Sequence, residues 1–106
     1  MFAKKNSDGY QQPLAGIDLK TLVYGENTSM HEFRMAEGSN LPPHSHPHEQ
    51  ISMLVEGEFE LTVGEETRRL TQGMVVTIPP DVVHGGRALK KSYHIDIFYP
   101  VREDYL

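Results

Sequence analysis

Apolar and polar residues alternate with a period of two along most of this chain, and no stretch shows a convincing helical period of 3.6. Successive side chains of a strand point to opposite faces, so the pattern builds sheets. Strands are expected over 17–24, 29–36, 51–56, 58–63, 74–78, 82–87 and 92–99. The breaks between them are turn chemistry: Gly25-Glu26-Asn27, Glu37-Gly38-Ser39-Asn40, Gly57, Gly64, Gln72-Gly73, Pro79-Pro80-Asp81 and Gly85-Gly86. Short strands at near-regular spacing imply an all-β domain, a sandwich or small barrel whose closure removes unpaired edges. Residues 14–106 are read as that one domain. Residues 1–13 are read as an arm that frays or adds an edge strand.

A chain of 106 residues buries a real but marginal core unless it closes a barrel or pairs with a copy of itself. Ile51, Met53 and their neighbours are apolar on both faces of their strand, which points to a homodimer, one face inside the barrel and the other under a second subunit. A formal charge of −5, with no Lys/Arg run longer than a pair, gives no reason to expect nucleic-acid binding. Cysteine is absent, so disulfide and thiolate chemistry are excluded. The segment MFAKKNSDGY lacks the apolar core of a signal peptide and no run approaches a membrane span, so a cytoplasmic home is expected.

Three of the six histidines fall within HSHPH, residues 44–48. A metal site needs several donors converging on one point at about 2.0–2.2 Å. His44 and His46 share strand parity and can face one point, and Gln50 continues that parity at the start of the next strand. His84, after the Pro79-Pro80 turn, is the candidate fourth donor. His48 shares the same parity, so parity alone leaves a register shifted by two open; five residues lie between Gly38 and His44, and six between Gln50 and Gly57. Gly73 and Pro79 then space His84 in the same way. His48 is expected at the rim or against a partner subunit. Glu49, of opposite parity, is expected to point away and to orient a ligand imidazole by a hydrogen bond.

These spacings resemble the two motifs of the cupin superfamily, G-x5-H-x-H-x3-E-x6-G and G-x5-P-x-G-x2-H, over residues 38–84. The resemblance implies a single-domain cupin: a double-stranded β-helix, or jelly-roll-like small barrel, holding one divalent ion. Two positions depart from the pattern. Asp81 stands at a turn glycine, an exchange Asp tolerates. Gln50 stands where glutamate is usual. Three imidazoles and an amide leave the ion its full charge, which favours an anionic substrate and weakens metal affinity. Such donors suit Ni, Zn, Mn, Fe or Co alike.

In the tail SYHIDIFYPVREDYL, alternation separates His94, Asp96 and Phe98 from Tyr93, Ile95, Ile97 and Tyr99. The second set is apolar enough to be core. A carboxylate in mid-strand is costly unless paired or near a cation. Asp96 therefore either pairs with a cation such as Arg34 or looks into the cavity beside the metal. His94 either lines that pocket or hydrogen-bonds within it. His31, with Phe33 and Met35, reads as a core or interface histidine rather than a ligand.

GIDLKTLVYG, PPHSHPHEQISMLVEGEFE, IPPDVVHGGRAL and DIFYPVREDYL together resemble the uronate-linearising cupins of bacterial pectin and alginate breakdown, from about Gly16 to Leu106. That resemblance implies metal ligands His44, His46, Gln50 and His84, in the register that Gly38 and Gly57 select over one containing His48, with catalytic Asp96 and Arg102 and with Phe98 and Arg102 against substrate; His94, on the same strand face, is a further candidate for substrate contact. The implied substrate is a small 4,5-unsaturated sugar acid, opened to a 5-keto-4-deoxyuronate. For Arg102 the bland reading is an ion pair with Glu103, Asp104 or a neighbouring subunit. Two other functions fit the same donors: a quercetinase-type metal-dependent dioxygenase, and a non-catalytic cupin that binds a small molecule.

Overall fold

The structure is a computed structural model describing residues 1–5 and 7–106. In chain order the strands are β1 (Gln11–Leu14), β2 (Ile17–Tyr24), β3 (Ser29–Met35), β4 (Asn40–His44) and β5 (Glu49–Glu56). They continue as β6 (Glu58–Val63), β7 (Glu66–Thr71), β8 (Val75–Ile78), β9 (His84–Ala88) and β10 (Ser92–Tyr99). A short 3-10 turn over Glu103–Tyr105 closes the chain. The strands form a six-stranded sheet in the order β1-β2-β3-β10-β5-β8 and a four-stranded sheet in the order β4-β9-β6-β7. All pairings are antiparallel. No helix among the described residues is long and apolar enough to cross a membrane.

The seven expected strands are present with small shifts at their ends. The three further strands, β1, β4 and β7, all lie at sheet edges. Edges are protected by prolines and charges instead of apolar alternation. Accordingly β1 contains Pro13, β4 reads NLPPH and β7 reads ETRRLT. Residues 11–14 thus take the edge-strand alternative foreseen for the arm.

The core lies between the sheets and contains Ile17, Leu19, Phe33, Met35, Leu54, Phe59, Leu61, Leu70, Ala88 and Phe98. Burying such a side chain fully contributes about 1.5–3 kcal/mol. The inward row of β10 is Ser92, His94, Asp96 and Phe98, so the alternation is as expected but the apolar face is not the core. Ile95 and Ile97 point outward, half-buried, and Tyr99 is exposed. The same inversion occurs on β5, where Gln50, Ser52 and Leu54 face in while Ile51 and Met53 face out. The central strands therefore carry polar groups into the barrel.

Two turns explain the glycine spacing. Gly57 has φ +97°, and a Cβ there would lie 2.2 Å from the Lys91 carbonyl oxygen. Only glycine fits the hairpin between β5 and β6. Asp81 takes φ +64° where the family pattern has glycine. Its N–H donates to the His46 carbonyl at 2.8 Å, tying the second motif to the first.

Candidate metal centre

Antiparallel pairing of β4 with β9 sets His44 directly opposite His84. The chain then leaves β4, and the Asp81 hydrogen bond holds the following loop so that His46 returns to the same point. The His44 and His84 ring centroids are 4.2 Å apart, and those of His46 and His84 4.9 Å. One ring nitrogen from each of the three lies within 4.8 Å of the others.

Each ring shows its tautomer through its partner. His44 Nδ1 is 2.8 Å from the Pro42 carbonyl oxygen, His46 Nδ1 3.0 Å from that of His48, and His84 Nδ1 2.9 Å from that of Val82. A carbonyl only accepts, so all three rings donate from Nδ1, and a neutral ring keeps a lone pair on Nε2. Burial lowers the pKa of His46 and pushes that of His84 down to about 4, which favours neutral rings. The orienting contacts come from main-chain carbonyls and not from Glu49, which is exposed.

Gln50 is buried, and its Nε2 donates to Asp96 Oδ2 at 3.1 Å. Its Oε1 consequently faces His46 Nε2, also at 3.1 Å. In that arrangement two lone pairs meet with no proton between them, a repulsive contact that a shared cation relieves. The donor set therefore fits a divalent ion, which His44, His46 and His84 could hold with the Gln50 oxygen beside them.

Asp96 stands directly opposite Ser52 on the neighbouring strand and accepts from the Ser52 hydroxyl as well as from Gln50. Burial pushes its carboxyl up to about 7, against the lowering effects of the Ser52 bond, the Arg102 charge and the Gln50 bond. Arg34 is exposed on the outer face beside Glu32, so it does not pair with Asp96. His94 lines the same interior cavity as Gln50, Ser52, His84 and Asp96. Its Nε2 is 2.9 Å from Ser92 Oγ, and its ring stands edge-on to Phe59.

Phe98 forms the other wall, edge-on to His46 with 5.5 Å between centroids. Arg102 is buried with its guanidinium over Phe98, at 4.8 Å, and over Tyr105, at 4.0 Å. It donates to both oxygens of Asp104, from Nε at 3.0 Å and from Nη2 at 2.8 Å. The ion pair with Asp104 is formed, and Arg102 still acts electrostatically on His46, His84 and Asp96. His48 is half-buried against His46 and Phe98. Its Nδ1 is sealed from solvent with no hydrogen-bond partner among the described residues. Ser52 was absent from the candidate residues of the sequence; its register with Asp96 depends on which strands pair.

Comparison with known proteins agrees with this fold. A protein-family model described as a cupin domain, Cupin_2, matches residues 31–94. The pectin degradation protein KdgF of Dickeya dadantii (strain 3937) is 32% identical over 93 residues, 86% of this chain and 84% of that protein. The solved structure of KdgF from Halomonas sp. superimposes with a TM-score of 0.92 at 31% identity, covering 100% of this chain and 98% of that one. An RmlC-like cupin from Shewanella frigidimarina NCIMB 400 gives 0.88 at 29% identity over the whole of both chains. Barrel, donor positions and family model coincide on one stretch of sequence, and the protein belongs to the Cupin_2 family of cupin domains.

Proposed function

We propose that the protein is a metal-dependent enzyme that linearises 4,5-unsaturated uronates released by polysaccharide lyases. The observation that carries the reading is the Gln50 amide, which joins the donor cluster to a buried carboxyl whose pKa sits near neutrality. Likeness to KdgF proteins along the full chain supports the substrate class.

The reaction requires a proton at C4, water at C5 and collapse of the resulting hemiketal to an open-chain ketone. His44, His46, His84 and Gln50 would hold a divalent ion, which would supply Lewis acidity to the reaction. Asp96 holds and moves the proton: burial favours its protonated form, and the charge of a bound ion would oppose that. Ser52 and Gln50 fix its two oxygens, so the proton is exchanged at a defined place. Arg102 pairs with the substrate carboxylate, and Phe98 offers the sugar ring an apolar wall.

The test is loss of the ene-carboxylate ultraviolet absorbance when metal-loaded protein meets unsaturated galacturonate. A rate equal to buffer sinks the reading. Asp96→Asn is expected to retain the ion and to lose turnover by about 100-fold or more; a fully active variant removes Asp96 from the mechanism. The outward row Ile51, Met53, Val75 and Tyr99, exposed beside Ile95 and Ile97, is the surface we assign to a homodimer. Light scattering that returns a monomer mass refutes that assignment.

A further inference from the structure

We infer that Asp104 and His31 are positioning residues that present one edge of Arg102 to a ligand carboxylate; the identity of that ligand, though not the geometry, rests on the function proposed above. A guanidinium has two edges able to grip a carboxylate with paired donors: Nε with one Nη, and the two Nη groups. Asp104 occupies the first edge through Nε and Nη2. Phe98 and Tyr105 fix the plane, and the Tyr105 phenol also interacts with the cation. Among the described residues no carboxylate lies on the second edge. A nearly buried cation with one edge lacking an anion is a subsite for one. Phe98 packs against both the Arg102 guanidinium, at 4.8 Å, and the His46 ring, at 5.5 Å between centroids, which sets that subsite one aromatic ring away from the donor cluster.

The backbone around Arg102 is held by a one-way chain of hydrogen bonds. Thr21 Oγ1 donates to the Tyr105 carbonyl at 2.9 Å, which uses its only proton. His31 Nδ1, 3.0 Å away, therefore donates to Thr21. Burial pushes the pKa of His31 down to about 4, so the ring is neutral and Nε2 carries a lone pair. Ser29 Oγ, at 2.7 Å, donates to that lone pair and accepts the Arg102 N–H at 3.0 Å. One buried histidine thus ties down both ends of the turn that carries Arg102, and its ring packs edge-on against Phe98 and Tyr105. Side chain and main chain are each restrained by a separate device.

The probe is D-galacturonate, a saturated uronate that is bound without being consumed, titrated into metal-loaded protein by calorimetry with Arg102→Ala as the reference for arginine-dependent binding. Asp104→Ala is expected to weaken binding about tenfold and to raise KM for the unsaturated uronate alike, with kcat nearly unchanged. Asp104→Glu, which keeps the carboxylate, is expected to recover most of the loss. His31→Phe keeps the ring packing, cuts the hydrogen-bond chain and is expected to move KM in the same direction with kcat nearly unchanged. Tighter binding by Asp104→Ala means that Asp104 competes for the arginine, and this overturns the proposal. Unchanged binding, or no arginine-dependent binding in the wild type, overturns it as well. If the wild type fails to turn over unsaturated uronates while the galacturonate effect persists, the proposed function falls and the positioning role stands.

Discussion

Five of the six histidines of this protein divide into two groups by what their rings touch. His44, His46 and His84 meet backbone carbonyls, whereas His31 and His94 meet serine and threonine hydroxyls. A carbonyl accepts but never donates, so it forces the proton onto one nitrogen and exposes the other as a donor to a metal. A hydroxyl does both and can satisfy the lone pair itself. The first group is a set of unspent lone pairs aimed at one place; the second is core structure made of imidazole.

The largest expected effect that separates the groups is on metal content. His84→Ala or His46→Ala is expected to lower affinity for the divalent ion by more than about 100-fold, whereas His94→Phe leaves it unchanged. Metal analysis after dialysis checks this, and loss of the ion from His94→Phe would break the division. A smaller effect concerns Gln50, the neutral member of the donor set. Gln50→Glu adds a charge to the ion's surroundings and is expected to tighten metal binding about tenfold. A calorimetric affinity equal to wild type shows that the Gln50 oxygen does not reach the ion.

The smallest effect sharpens the account of the buried group through pH. Burial pushes the pKa of His94 from 6.5 down to about 4. The native state then binds fewer protons than the unfolded chain, so stability present above pH 6.5 is lost as pH falls toward 4. By pH 4 the loss from this residue reaches about 3 kcal/mol. Urea unfolding of chelator-treated protein at pH 7 and pH 4.5 is expected to show a smaller drop for His94→Phe than for wild type. Equal drops place the titration elsewhere.

Much of the site was legible in the chain because its constraints are local. His44, His46 and Gln50 are marked by parity and by flanking glycines, and the φ of Gly57 shows why that spacing cannot drift. The edge strands β4 and β7 escaped notice because edges replace apolar alternation with proline and charge. The inside of β10 was also misjudged, since alternation separates two faces without saying which is buried. Ile95 and Ile97 were the natural core by hydrophobicity, yet the barrel takes His94 and Asp96 inward. Glu49 was assigned an orienting bond that main-chain carbonyls make instead.

The amino-acid sequence alone determined seven of the ten strands, the turns and the candidate donor residues, with an amide at Gln50 in place of a carboxylate, because each rests on neighbours a few positions apart. Tertiary structure alone decided that Asp96 faces Ser52 and Gln50, and that His31 anchors the tail. Those contacts join residues as far apart as Ser29 and Arg102, and they exist only once β10 is inserted between β3 and β5. Strand order and sheet face are set by the burial of the whole chain, so no local pattern carries them.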